Sequence, residues 1–200
     1  MKTAEKLTTI AENVSKVYDA GKKAEYDHFW DNFQQNGALM TYANAFTART
    51  WNDTCYSPKY TIKSTAGLGM FYNSLITDTK VPIDLSTATN AQNLFGYASG
   101  MKYIRKLILS ENITNFNNAF IGLSNLELLI VEGTIAANGI DLRWSTKLNK
   151  ESIVSIINAL SSTTSGLSIT ISKKAKEAVF TADEWATLEA TKPNWTIALA

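Results

Sequence analysis

Apolar residues recur at a regular interval along the middle of the chain. Phenylalanine stands at the same place in successive segments, as Phe46, Phe71, Phe95 and Phe120, and the spacing between them is almost constant. After each of the last two, apolar residues follow every third position and then alternate with polar ones. The first spacing is typical of a short helical or 3₁₀ turn, and the alternation is typical of a strand.

The interval between the phenylalanines predicts a leucine-rich repeat, a class whose repeats have a length of about 20–29 residues. One segment cannot bury its apolar edge alone, whereas stacked segments share one core and one ladder of parallel strands. The fold class predicted is therefore α/β: a leucine-rich-repeat solenoid with short parallel strands, N-terminal helices and a C-terminal helix and strand cap. The predicted domains are 1–40, 41–148 and 149–200, the last continuous with the solenoid. The segment after Phe71 carries few leucines, which leaves its strand register open.

The N-terminal region is predicted to be helical over residues 3–20 and again over 22–37. The first helix carries an a/d stripe of apolar residues, which are Leu7, Ile10, Val14 and Val17. Two heptads are too short to hold a coiled coil by themselves. The stripe either packs on the rest of the chain or forms an assembly contact, which would make the protein a homo-oligomer through this helix.

The C-terminal region combines helix and strand signals. Asn149 is a predicted N-cap for a helix whose apolar face holds Ile153, Ile156, Ile157 and Leu160. The stretch 166–172 alternates like a strand, and Thr181 with Glu184 predicts a capping box. A final strand is predicted with Trp195, Ile197 and Leu199 facing one way. Such an atypical end would close the open edge of a stack of repeats.

Two of the repeated segments resemble the BspA-like branch of leucine-rich repeats. They are "NLFGYASGMKYIRKLIL" at 93–109 and "NAFIGLSNLELLIV" at 118–131. The chain is also similar to short repeat proteins encoded by phages and prophages of Gram-positive gut bacteria, in the stretches 17–37, 150–172 and 192–197. This resemblance implies a component of the phage particle, tail- or baseplate-associated, with a protein partner that is another virion component or a host surface molecule.

Charge and hydropathy limit the remaining function classes. The net charge of +1 and a pI near 7.7 show no basic footprint for nucleic acid or an anionic membrane, so neither is expected as a partner. The first residues are polar and lack the apolar run of a secretory signal, and no stretch reaches about 18 apolar residues. We expect a soluble protein that is cytoplasmic when made, and virion-associated by the resemblance.

Candidate catalytic chemistry is sparse. The chain has one histidine, His28, and one cysteine, Cys55, whereas triads and zinc sites usually draw on several such residues. No glycine-rich phosphate-binding motif occurs. We therefore expect no catalytic residues, no cofactor and no metal, and a protein that is not an enzyme.

A candidate partner surface lies on the predicted strands. If Leu107 and Leu109 point into the core, then Lys106, Ile108 and, by the same register, Ile130 point outward. Matching outward isoleucines on adjacent strands would form an exposed apolar strip, a common mark of partner sites. The alternatives are a shifted register or a flanking helix that covers the strip.

A second candidate surface is the segment 49–60, which contains Trp51, Tyr56 and Tyr60. These residue types are enriched at binding hot spots, although filling of the first core layer would explain them equally well.

Three functions follow from these observations. The leading hypothesis is a non-catalytic protein-binding or structural module of a phage or prophage particle. The first alternative is a bacterial surface protein similar to an adhesin. The second, from another class, is a hydrolase of cell-wall glycan, which would need paired carboxylates in a cleft.

Overall fold

A computed structural model describes residues 61–200, which form two parallel sheets and three helices. The strands are β1 (Ile62–Lys63), β2 (Ile83–Leu85), β3 (Tyr103–Leu109), β4 (Leu128–Gly133), β5 (Asp141–Leu142), β6 (Leu167–Ile171) and β7 (Trp195–Leu199). The helices are α1 (Lys150–Ala159), α2 (Lys173–Val179) and α3 (Ala182–Glu189). The α/β class with parallel strands is thus confirmed, whereas the predicted N-terminal helices, with Leu7, Ile10, Val14 and Val17, lie outside the described residues.

The larger sheet contains β1 to β4 in chain order, and every neighbouring pair is parallel. Its register places Ile62 beside Ile83, Ile83 beside Leu107, and Leu107 beside Val131. All four of these side chains are buried in the core. The register that the sequence left open after Phe71 is therefore the one that sets Ile83 in the buried row.

The repeated phenylalanines meet inside the molecule. The rings of Phe71 and Phe95 are stacked with centroids 4.8 Å apart, and those of Phe95 and Phe120 are stacked at 6.0 Å. None of the three is more than 2% exposed. As the repeat predicts, the same residue fills the same core position in successive segments.

Backbone hydrogen bonds join these segments on the side away from the strands. The Phe71 N–H donates to the Leu94 carbonyl at 2.7 Å, and the Phe95 N–H donates to the Ala119 carbonyl at 2.8 Å. In each pair the acceptor stands nearly one repeat after the donor in the sequence. The connecting turns therefore satisfy their backbone groups on the next segment, much as strands do.

Helix α1 closes the exposed edge of strand β4. The Leu129 N–H donates to Ser152 Oγ at 2.9 Å, and the Val131 N–H donates to Ser155 Oγ at 2.7 Å. Ser155 Oγ in turn donates to the Val131 carbonyl at 3.0 Å. Serine hydroxyls thus replace the backbone of a further strand, which protects an edge that would otherwise pair with another chain.

The helix itself forms as its sequence predicts. Asn149 is the N-cap, and its side chain accepts a hydrogen bond from the Ser152 N–H at 2.8 Å. The predicted apolar face is buried, with Ile153, Ile156, Ile157 and Leu160 at most 2% exposed.

The smaller sheet has the order β5-β6-β7, and helices α2 and α3 connect β6 to β7. The capping box of Thr181 and Glu184 is present at the start of α3, as predicted. The predicted last strand is present as β7, in which Trp195 and Ile197 are buried and Leu199 is 39% exposed. Leu199 ends an edge strand, where solvent reaches the side chain from the open side.

Among residues 61–200, no helix combines the length and apolar character needed to cross a bilayer.

Candidate functional site

The outward side chains of β1 to β4, with the residues just before each strand, form one surface, here called the strand face. Along one row of the register, Lys63 lies beside Asp84, Asp84 beside Ile108, and Ile108 beside Glu132. Lys63 and Glu132 are exposed, whereas Asp84 and Ile108 are half-buried. The strand face therefore presents charged and apolar side chains side by side.

A bulge interrupts the pairing of β3 with β4. The register is regular at Ile104 opposite Leu129 and again at Leu107 opposite Val131, and it shifts between these positions. Arg105 and Lys106 together therefore lie opposite the single residue Ile130. Such a bulge turns two consecutive side chains toward the same face of a sheet, and bulges are common beside functional sites.

The register of β3 and β4 corrects one expectation about the candidate partner surface. Ile108 lies opposite Glu132, not opposite Ile130, so the two isoleucines are not paired on adjacent strands. The expected match is wrong because paired positions of β3 and β4 lie 25 or 24 residues apart, as Tyr103 and Leu128 or Leu107 and Val131 do, whereas Ile108 and Ile130 are only 22 residues apart. Lys106, Ile108 and Ile130 are all half-buried on the strand face, and their role in partner binding stays a prediction.

One of the predicted residues already has a charged neighbour. Lys106 Nζ lies 2.6 Å from Glu132 Oε1, across the β3–β4 pair. The remaining predicted contact residues, Trp51, Tyr56 and Tyr60, lie outside the described residues.

The most extensive polar network of the strand face was not predicted. Arg105 binds Asp78 with two hydrogen bonds, from Nε to Oδ1 at 3.1 Å and from Nη2 to Oδ2 at 2.7 Å. The guanidinium also lies over the Tyr103 ring, 4.9 Å from its centroid. The Tyr103 hydroxyl donates to Glu127 Oε2 at 3.0 Å. Four residues from three segments therefore form one connected network.

The signal that could have revealed this network is the repeat itself. Asp78 stands one repeat before Tyr103 in the sequence and forms a parallel bridge with it. Aligning the two segments by this spacing places Asp78 beside Tyr103, the first residue of β3. Arg105 lies two residues further along the same strand. The segment containing Asp78 has few leucines, which hides its alignment with the next segment.

Electrostatics reflects this arrangement. Burial by itself would raise the pKa of Asp78, but the hydrogen bonds from the Arg105 side chain and the Lys80 N–H outweigh burial and hold the pKa below its ordinary value. The hydrogen bond to Glu127 raises the pKa of Tyr103, because loss of the phenolic proton would bring two negative charges together. At neutral pH the network therefore holds an ionised Asp78, a cationic Arg105 and a neutral Tyr103.

A shallow depression opens beside this network. It is lined by Tyr103, Arg105, Glu127, Leu128, Lys147 and Asn149. Lys147 Nζ donates to Asn125 Oδ1 at 2.8 Å, which holds the lysine at the rim. Chemically, the depression offers an aromatic ring, both signs of charge and an amide, so it suits a polypeptide better than a small apolar ligand.

A second polar groove lies at the end of helix α1, and its groups are engaged in capping. Lys192 Nζ donates to the Asn158 and Leu160 carbonyls, and Trp195 Nε1 donates to the Ser161 carbonyl at 2.9 Å. Burial lowers the pKa of Lys192. Cations and N–H donors at this position satisfy the carbonyls that a helix leaves unpaired at its C-terminus. We interpret this groove as structural.

Within residues 61–200, no group of three or more histidine, cysteine, aspartate or glutamate side chains is placed to hold a metal ion. His28 and Cys55 lie before this range. The arrangement on the strand face is one of ion pairs and hydrogen bonds between side chains.

No protein-family model, no curated protein and no solved structure matches the chain.

Proposed function

We propose that the chain is a non-catalytic binding module, a leucine-rich-repeat solenoid of the BspA-like type. Three observations support the architecture: the stacked rings of Phe71, Phe95 and Phe120, the parallel register of β1 to β4, and the hydrogen bonds between successive turns. All three recur once in each repeated segment. A solenoid of this kind offers an extended face of parallel strands for recognition.

The observation that carries the proposal is the network of Asp78, Tyr103 and Arg105 beside the half-buried Ile108 and Ile130. Arginine and tyrosine are enriched at the energetically important positions of protein interfaces. Two hydrogen bonds to Asp78 hold Arg105 before any partner arrives, so less side-chain entropy is lost on binding. We propose that the strand face binds a protein through this preorganised group.

By its resemblance to phage and prophage repeat proteins, the partner is proposed to be a virion component or a host surface molecule, and the protein a part of the particle. The test is to induce the prophage in the strain that carries the gene and purify the particles. Mass spectrometry should then detect the chain in the particle band in a fixed ratio to the tail proteins. Its presence only in the unsedimented fraction would contradict the particle role.

A photo-crosslinking experiment tests the strand face itself. A benzoylphenylalanine at position 130 should give a covalent adduct with one particle or host surface protein. The same group at the exposed position 174, on helix α2, should give none. Equal adducts at both positions, or no adduct at 130, 108 or 106, would contradict a binding site on the strand face.

The non-catalytic part of the proposal has its own test. Purified protein incubated with cell-wall glycan should release no reducing sugar above the rate of a heat-denatured sample. Measurable turnover would overturn it in favour of a hydrolase.

A further inference from the structure

Each connection between the strands of the larger sheet contains a long stretch without charged residues. Residues 64–77, 86–101 and 112–126 contain no aspartate, glutamate, lysine, arginine or histidine. The charges lie at the strands and their ends, for example at Lys63, Asp78, Lys102 and Glu111. The outward side chains of the three uncharged segments are here called the turn face. The turn face and the strand face cover the same core from different sides, because each segment runs from a strand into a turn on the side away from the strands.

Amides and hydroxyls cover most of the turn face. Its exposed side chains include Asn73, Thr89, Tyr97, Thr114, Asn117 and Asn118, with Leu75 as an exposed aliphatic residue. The side-chain amides of Asn117 and Asn118 make no hydrogen bond to any group of the described residues. Each such amide can donate two hydrogen bonds and accept two more, so these groups remain available to a ligand.

The backbone of the turn face repeats as closely as its composition. Asn73, Tyr97 and Gly122 hold the same place in successive segments, and each has a positive φ, of 50°, 58° and 76°. Glycine and asparagine adopt this left-handed conformation readily, whereas a bulky side chain adopts it only at a cost in folding free energy. Tyr97 is therefore the unfavourable residue at a position where its two equivalents are the favourable ones.

The free energy gained by burying the ring does not fully offset this conformational cost, because the Tyr97 side chain is 49% exposed. Its ring lies edge-to-face with the Tyr72 ring, with centroids 5.8 Å apart and planes at 87°. Each ring lies over a glycine of the next segment: a Cβ on Gly96 would be 3.4 Å from the Tyr72 ring, and one on Gly122 would be 3.1 Å from the Tyr97 ring. The two tyrosines thus form a short aromatic row with exposed surface.

Strained residues that persist against a folding cost are concentrated at functional sites. We propose that the turn face binds an uncharged polysaccharide, with Tyr97 as the stacking anchor. The ligand class follows from the chemistry of the surface. A sugar ring has an apolar face of C–H groups that can pack on an aromatic ring, and its hydroxyls pair with amides and hydroxyls such as those of Asn117 and Asn118. Protein interfaces are enriched in arginine as well as in aromatic residues, and the turn face contains no arginine.

Affinity electrophoresis tests the proposal on the full chain. The protein is run in native gels containing a soluble glucan, mannan, galactan or rhamnan, and in a gel containing hyaluronate as the charged comparison. At least one uncharged polymer should retard the protein, and hyaluronate should not. Retardation by none of the four uncharged polymers, or by hyaluronate alone, would overturn the proposal.

Variants then locate the site. Tyr97→Asn should weaken retardation about tenfold or more, as expected when an aromatic anchor is removed, while Tyr97→Phe should retain it. Trp144→Ala is the matched control, because Trp144 is also an exposed aromatic residue, at 55%, but follows the charged Arg143 outside the turn face. An equal loss in Trp144→Ala and Tyr97→Asn would show general aromatic adhesion and overturn the assignment.

Two further measurements separate binding from folding and from charge. The thermal midpoint of Tyr97→Asn should equal or exceed that of the unaltered chain, since asparagine occupies the equivalent position 73, so a loss of retardation cannot be assigned to unfolding. Retardation should also persist when the salt concentration rises tenfold, because an uncharged ligand has no ionic attraction to be screened. Retardation that disappears at high salt would contradict an uncharged ligand.

Discussion

The strand face and the turn face enclose the same core, but they differ in charge. On the strand face, side chains of opposite sign lie next to each other, as in the pairs Arg105–Asp78 and Lys106–Glu132. On the turn face the corresponding surface is built mainly from amides, hydroxyls and two tyrosine rings. The two sides of one stack of segments therefore present different chemistry to solvent.

The difference is not a consequence of stacking alone. Equivalent residues of adjacent segments are close together on both faces, so like charges would repel on either. On the strand face, pairs of charges of opposite sign avoid this repulsion, and the same pairing would have been possible on the turn face. That the turn face instead has no charge over three segments is a property of its sequence, and we connect it with an uncharged ligand. The strand face, with arginine and tyrosine held in place, suits a protein.

The largest expected effect concerns the core that the two faces share. Phe95→Ala removes the middle ring of the column, which contacts Phe71 and Phe120 and is fully buried. The free energy of unfolding should fall by about 3–5 kcal/mol, because the lost apolar contact leaves a cavity. Chemical denaturation measures the change, and Tyr72→Ala, at a half-buried position, should cost much less. Similar losses for both would mean that the column is not the element that joins the two faces.

The next effect concerns the edge of the strand face. Ser152→Ala removes the acceptor of the Leu129 N–H at a fully buried position. The expected loss of stability is about 1–3 kcal/mol, the cost of a buried donor without a partner. Ser162→Ala, at an exposed position, is the control and should change stability little. Unfolding curves of equal midpoint for the two variants would contradict the role of helix α1 as the cap of this edge.

A smaller effect tests the charged network of the strand face. Arg105→Gln removes the charge-assisted pair with Asp78, whose side chain is 9% exposed, and should cost about 1–2 kcal/mol near neutral pH. The pair holds the pKa of Asp78 below its ordinary value of 3.8, so its contribution is present above that pH and is lost as the pH falls through the lowered pKa. The stability difference between the two proteins should therefore shrink below about pH 4. A difference that stays constant down to about pH 2 would contradict this account.

The smallest expected effect on stability concerns the turn face. Tyr97→Gly removes the free-energy cost of a tyrosine at a positive φ. It also removes the ring contact with Tyr72 and increases the conformational entropy that the chain loses on folding. The stability should change by no more than about 1 kcal/mol in either direction, and Tyr97→Asn should be neutral or stabilising. Thermal unfolding at low and high salt should give the same difference. A loss of several kcal/mol in Tyr97→Asn would show that Tyr97 is retained for folding.

Parts of the fold and of the site could be predicted from local patterns. The capping residues Asn149, Thr181 and Glu184 act on backbone groups within one helical turn, so their sequence signal is sufficient. The buried alternation of Leu107 and Leu109 follows from the two-residue period of a strand. The exposed Leu199 shows the limit of this reasoning, since a pattern does not reveal whether anything lies over it.

The network around Arg105 could not be predicted in the same way. Asp78 and Arg105 are far apart in the sequence, and their contact depends on the parallel bridge between Asp78 and Tyr103 and on the bulge in β3. The mismatch of Ile108 and Ile130 likewise follows from the strand register, which sets residues about one repeat apart opposite each other. Helix α2 has no strong signal of its own and was not predicted.

By itself, the sequence determined what repeats: the buried phenylalanine of each segment, the alternation of the strands, the caps of α1 and α3, and the uncharged stretches between the strands. These are local or periodic properties, and a chain that stacks equal segments preserves them in its structure. Only the tertiary structure decided the bulge, the pairing of Arg105 with Asp78, and the use of Ser152 and Ser155 to close the edge of β4. Each of these depends on how one segment is placed against the next, and small shifts in that placement change which side chains meet.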